Sequence, residues 1–269
     1  MPYESIVVTP LSPHIGGEIS HIDLTQPLST LQQQELRRAF TEFQVIFFRD
    51  QRMSSDDLVR MASYFGELAG HVGAKSNAKP TDNPFVLKFH FDEKSKRIAE
   101  REFHSDQSCA AVPPAGSLLY NHTLPPDGGG DTLFANMYAA YDALSEPMKV
   151  YLEGLTAVHD GSRSYGAGSP VTSHPVIVRH AESGKKCIFV NSGFTTRINE
   201  LPDKEGRHIL QFLFDHCNRA EWTCRFRWRP HSVAFWDNRC TLHKAIFDYW
   251  PHVRSGYRVY VRAKAAPAG

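Results

Sequence analysis

The sequence predicts a mainly β fold with helices packed around it. Three observations carry that expectation. Runs rich in β-branched and aromatic residues recur along the 269 residues. They do not alternate regularly with helical patterns, which disfavours a doubly wound parallel sheet. Turns rich in Gly and Pro separate them, which favours an antiparallel sandwich or barrel. We therefore expect one domain over 1–269, a β-sandwich core decorated by helices.

Strands are expected at 5–9, 44–48, 84–89, 117–123, 174–180, 186–191, 223–228, 232–236 and 256–263. The last alternates apolar and polar residues, as a half-buried strand does. Helices are expected at 30–43 and 55–65, each preceded by a residue suited to cap it, and the second has acids in its first turn. A further helical stretch spans 135–154, with a turn near Ser145 and Pro147. Residues 203–217 place apolar side chains at 209, 210, 213, 214 and 217, a helical stripe that suits core packing. The triple glycine 128–130 lacks the Lys-Ser/Thr of a phosphate loop and reads as a turn into a strand carrying Thr132. The closing AAPAG is expected to fray.

Composition excludes several classes. The formal charge of +1 leaves no electrostatic footprint for nucleic acid. The N-terminus lacks the basic and apolar regions of a secretory signal. No apolar stretch suffices for a transmembrane helix. The five cysteines include no C-x-x-C pair, so they are expected as small buried hydrophobes in a reducing cytoplasm.

The chemistry starts at F-H-S-D, residues 103–106. On an extended segment, His104 and Asp106 point to the same face. H-x-D alone also fits a polar turn. A third ligand is available from W-D-N-R-C-T-L-H at 236–243, where His243 follows a turn after an apolar strand. Two histidines and one carboxylate form the facial triad of non-haem Fe(II) oxygenases, which leaves sites open. Asp237 and Asn238 would support His243 from behind. Arg254 and Arg258 follow eleven and fifteen residues after His243. Such arginines can simply pair with surface acids. Beside a metal, they can instead hold carboxylates in bidentate fashion.

With these stretches, and with FGEL, PPAGSLLY, GGDTLFANMYAAYDALS, HPVIVRH and FVNSGFTTRI in the same order, the chain resembles the Fe(II)/2-oxoglutarate-dependent dioxygenases of the taurine dioxygenase and dichlorophenoxyacetate dioxygenase family. The resemblance implies a double-stranded β-helix, or jelly roll, with flanking helices. It implies Fe(II) held by His104, Asp106 and His243, and 2-oxoglutarate anchored by Thr132 and Arg254. It implies Arg258 and His71 at the substrate, a small anionic molecule in this family's usual range of sulfonates, sulfate esters and aryloxyalkanoates. With O₂, the expected reaction is hydroxylation of a C–H bond, giving succinate and CO₂, often followed by cleavage of a carbon–heteroatom bond. Asp106 in the triad favours hydroxylation over halogenation. The family also commonly forms oligomers.

Two positions depart from the taurine enzyme's pattern. Ala74 stands where that enzyme has tyrosine, and Glu100 where it has asparagine. Glu100 is expected at the substrate, where it could receive an amine or hydroxyl. Rival readings are a non-catalytic jelly-roll binding protein, a zinc hydrolase with the same ligands, and a hydroxylase of an amino-acid-like or natural-product substrate.

Overall fold

A computed structural model of the chain describes residues 2–72, 79–95 and 102–269. The large sheet runs in the order Val7–Pro10, Gly17–Ser20, Val45–Phe48, Ser232–Asp237, Gly116–Thr123, Arg254–Val261, Leu87–Phe91, Lys79–Pro80, with Leu68–Ala69 also on Arg254–Val261. Its neighbours are antiparallel, except for Gly17–Ser20 beside Val45–Phe48. A smaller antiparallel sheet sets Thr132–Asn136 between Thr223–Phe226 and Thr241–Ala245. The two sheets enclose one apolar core, and the architecture is the jelly roll with flanking helices.

Side-chain alternation explains the unbroken apolar runs. Val45, Phe47, Leu119, Ala234 and Trp236 face the small sheet's Phe134, Cys224 and Phe226. Ile46, Phe48, Leu118, Val233 and Phe235 point the other way, against Leu36, Phe40, Leu58 and Met61 of helices Thr30–Phe43 and Ser55–Ser63. A sheet covered on both faces has no polar side, so its strands read as continuous hydrophobic segments. Both helices begin with a capping box, at Ser29 with Gln32 and at Ser54 with Asp57.

Several elements differ from expectation. The 135–154 stretch is two helices, Met137–Asp142 and Glu146–Leu152. Ala135 and Asn136 belong to the preceding strand, and the Asn136 side chain caps the first helix by accepting from the Tyr138 and Ala139 amides. The expected 174–180 strand is two, Val171–Pro175 and Ile177–Arg179, in different sheets. The closing residues are tied rather than frayed: the Ala268 carbonyl accepts from the Arg179 amide at 2.8 Å. All five cysteines are free and buried, as expected.

Gly256 sits between the two arginines of strand Arg254–Val261. A Cβ there would fall 2.0 Å from the Tyr120 carbonyl oxygen of the neighbouring strand. Gly256→Ala must therefore push apart strands that carry the site. We expect a loss of about 3 kcal/mol and a fall in Tm of about 6–12 °C by calorimetry. An unchanged Tm would show that this strand contact yields freely.

Candidate active site

The segment carrying His104 and the strand carrying His243 meet through one two-way backbone bridge. The His104 amide donates to the His243 carbonyl at 3.0 Å, and the His243 amide to the His104 carbonyl at 2.8 Å. The chain then leaves extended geometry, and Asp106 opens a turn over 106–109. Despite that turn, the Asp106 carboxylate faces the histidines. His104 Nε2 and His243 Nε2 each lie 3.7 Å from Asp106 Oδ1. All three residues are buried, with exposures of 1%, 0% and 3%.

The donor chemistry fits a metal. His104 Nδ1 lies 2.8 Å from the Glu102 carbonyl, which can only accept. Nδ1 therefore carries the proton, and Nε2 presents its lone pair to the centre. Burial works against an ionised Asp106, but the Arg258 guanidinium, 3.3 Å from Oδ1, overcomes it and holds the carboxyl well below the usual range. A charged carboxylate and two imidazole nitrogens therefore converge on one buried point.

The carboxylate's two oxygens face different partners. Oδ1 faces the histidines and Arg258, whose Nη1 lies 3.3 Å away. Oδ2 accepts from Ser117 Oγ at 2.6 Å. Ser117 in turn accepts from Asn238 Nδ2 at 2.8 Å, and Asn238 Oδ1 accepts from Trp236 Nε1 at 2.9 Å. The expectation that Asp237 and Asn238 support His243 is thus corrected. Asn238 serves Asp106, because its amide points back under the Gly116–Thr123 strand. Asp237 turns away to Arg239 and to His180 Nε2, at 2.6 and 3.1 Å.

His180, Asp237 and Cys240 form a second buried cluster of ligand-type residues. Here Arg239 engages both Asp237 oxygens and, with His180, lowers that carboxyl to about 2 against the cost of burial. His180 Nδ1 accepts from the Ser183 amide at 3.1 Å. With the carboxylate so occupied, the cluster is an ion pair that pins the turn after the Ser232–Asp237 strand. His159 and His174 are structural as well. His159 Nδ1 is 3.0 Å from Ser108 Oγ, and His174 Nε2 is 3.0 Å from the Ala110 carbonyl.

Burial, with His174 nearby, lowers His159 from 6.5 to about 3. Its sign is fixed by linkage: the unfolded chain binds the extra proton, so this contribution is complete above pH 6.5 and lost as pH falls toward 3. From His159 alone, we expect about 2 kcal/mol less stability at pH 5 than at pH 7.5, seen in denaturant unfolding. Asp237 adds its own loss only below the ordinary aspartate value of 3.8. A flat stability between pH 7.5 and 5 would refute the buried neutral His159.

Thr132 and Arg254 meet at Trp228. Trp228 Nε1 donates to Thr132 Oγ1 at 3.0 Å, and the Arg254 guanidinium carbon lies 5.8 Å from the Trp228 ring and 5.5 Å from that of Phe89. Arg254 is 5% exposed. Gly130, at φ +87°, admits it: a Cβ there would meet Arg254 Cδ at 3.1 Å. The triple glycine is a turn, as expected, and it also leaves room for this arginine. On the other side, His71 packs edge-on against Tyr165 at 4.7 Å and lies 5.9 Å from the Tyr260 ring. Tyr260 Oη is 3.3 Å from Arg258 Nη1, which brings His71 and Arg258 to one wall. Phe194 stands beside His104 and Tyr165. Glu100 and Ala74 lie outside the described residues.

Sequence reasoning did not find Ser117, Trp228, Tyr165 or Tyr260. Ser117 and Tyr260 sit in motifs that read only as strands. Nothing in the spacing marks Trp228 as the partner of Thr132. A cavity of about 910 Å³ lies elsewhere, between Phe40, Phe65, Phe235 and the closing residues; it touches none of the three candidate ligands, so volume alone does not mark the site. No helix among the described residues is long and apolar enough to cross a membrane.

Comparison with known proteins agrees with this geometry. The model of the taurine catabolism dioxygenase TauD, TfdA family matches residues 8–260. An alpha-ketoglutarate-dependent 2,4-dichlorophenoxyacetate dioxygenase of Cupriavidus pinatubonensis is 32% identical over 89% of this chain and 92% of its own length. An alpha-ketoglutarate-dependent sulfonate dioxygenase of Saccharomyces cerevisiae is 32% identical over 96% of this chain and 67% of its own. The crystal structure of a taurine dioxygenase from Burkholderia xenovorans matches with a TM-score of 0.88 and 33% identity, covering 99% of this chain and 92% of that one. The chain belongs to the TauD/TfdA family of dioxygenases, which use Fe(II), 2-oxoglutarate and O₂.

Proposed function

We propose that the chain acts as one catalytic domain that hydroxylates a C–H bond of a small anionic substrate, with His104, Asp106 and His243 as the Fe(II) ligands. The observation that carries the assignment is the convergence of both Nε2 atoms on Asp106 Oδ1 at 3.7 Å in a buried centre. Bound Fe(II) supplies the activation of O₂ that couples oxidation of 2-oxoglutarate to succinate and CO₂ with hydroxylation of the substrate.

The protein's own contribution is placement. Arg254, whose guanidinium lies beside the Phe89 and Trp228 rings, and the Thr132 hydroxyl would hold the far carboxylate of 2-oxoglutarate. There the apolar walls strengthen the charge pairing. Arg258 holds the substrate's anionic group, and His71, Tyr165 and Phe194 wall its body. This fixes which C–H bond faces the metal. The relatives that act on a sulfonate or an aryloxyacetate support an anionic substrate. The free, buried thiols support a reducing compartment, the cytoplasm.

The test is Arg258→Ala, assayed against a panel of small sulfonates, sulfate esters and aryloxyalkanoates. Substrate-coupled succinate release should fall roughly 10²-fold or more. The slow release without substrate should persist, because Arg254 and the metal ligands are intact. Unchanged coupled turnover would remove Arg258 from substrate binding. Loss of both activities would mean that Arg258 acts through Asp106 instead.

A further inference from the structure

We propose that Ser117 and Asn238 are positioning residues that make Asp106 a one-oxygen ligand, and so keep a coordination position open at the metal. The proposal rests on Asp106 as a ligand.

A carboxylate has two oxygens and can bind a metal through one or both. A second bound oxygen would fill a position that 2-oxoglutarate and O₂ need, since three protein donors leave only three of six. Asp106 sits at the start of a turn, where neither strand nor helix fixes its χ angles. Its setting is therefore done by hydrogen bonds. The Ser117 hydroxyl donates to Oδ2 at 2.6 Å, the length of a strong charge-assisted bond. Ser117 cannot turn away, because Asn238 Nδ2 donates into Ser117 Oγ at 2.8 Å. Asn238 is itself locked. Its Oδ1 accepts from Trp236 Nε1 at 2.9 Å and from the Asp106 amide at 3.3 Å, and its carbonyl accepts from Ser105 Oγ at 2.7 Å. The accepting Oδ1 fixes the amide's orientation, so the NH₂ must face Ser117. Ser117, Asn238 and Trp236 are 0%, 1% and 0% exposed, so water does not compete for these bonds. Three segments of the chain, at 105–106, 117 and 236–238, are thus joined in one set of hydrogen bonds that ends on the oxygen facing away from the histidines. The relay is directional: Trp236 orients Asn238, Asn238 orients Ser117, and Ser117 occupies Oδ2.

The test uses full-length protein stripped of metal. Mn(II) affinity is measured by calorimetry and coordination number by Co(II) absorption, so neither readout depends on turnover. Ser117→Ala removes the hydroxyl with little change of shape. It should weaken Mn(II) binding roughly 10- to 100-fold. The Co(II) spectrum should shift as the freed Oδ2 joins the metal. Ser117→Thr keeps the hydroxyl and should restore both readouts. Asn238→Ala should move both as Ser117→Ala does, and it decides the matter if Ser117→Ala does not fold. Wild-type affinity and an unchanged Co(II) spectrum in whichever of these two folds would overturn the proposal, as would equal losses in Ser117→Ala and Ser117→Thr. Asp106→Ala is the control. If Mn(II) binding survives that change, Asp106 is not a ligand and the underlying site assignment fails. If it is lost while Ser117→Ala keeps wild-type affinity and an unchanged Co(II) spectrum, only the positioning role fails.

Discussion

Replacing Arg254 by alanine is expected to raise the 2-oxoglutarate concentration for half-maximal turnover by roughly 10²- to 10³-fold. The size follows from burial. Arg254 is 5% exposed and flanked by Phe89 and Trp228, so its charge acts on a carboxylate with little screening by water. Arg254→Lys keeps the charge but loses the planar fork, and it should fall between the two. Initial rates of succinate formation against 2-oxoglutarate concentration decide the matter. An unchanged half-saturation would place the co-substrate elsewhere and revive a hydrolase that merely shares the metal ligands.

The second large effect is expected at the metal. Asp106→Ala should abolish turnover and weaken Mn(II) binding by roughly 10²- to 10³-fold, because it removes the only carboxylate among the candidate ligands and leaves Arg258 facing the two histidines. Calorimetric titration of the metal-free protein reads this directly. His243→Ala should behave alike. Retained affinity in both variants would mean that the ion sits outside this cluster.

These expectations rest on features that the sequence displays unevenly. Strands Val45–Phe48 and Ser232–Asp237 are legible because burial on both faces makes them unbroken apolar runs. Helix Asp203–Cys217 is legible because its stripe faces one side. Thr156–Asp160 and Thr195–Ile198 are not: each is short and mixes polar with apolar residues, and their pairing with each other is nonlocal. The candidate ligands His104 and Asp106 can be paired from local spacing, but His243 joins them only through the family resemblance and a turn after an apolar strand. Their meeting depends on a single backbone bridge across the chain. The residues behind Asp106 are harder still. Position in the sequence marks Asn238 as a supporting residue yet points to the wrong ligand, since the direction of its amide is set by Trp236 and Ser117 in three dimensions.

We propose one buried centre that holds Fe(II) through His104, Asp106 and His243 with 2-oxoglutarate beside it. Its most direct test is a crystal structure of the protein grown without oxygen in Fe(II) and 2-oxoglutarate, with anomalous data at the iron edge. We predict one iron peak about 2.0–2.2 Å from His104 Nε2, Asp106 Oδ1 and His243 Nε2, and the far carboxylate of 2-oxoglutarate on Arg254 and Thr132. An iron peak away from these three atoms, or 2-oxoglutarate bound without contact to Arg254, would contradict the account.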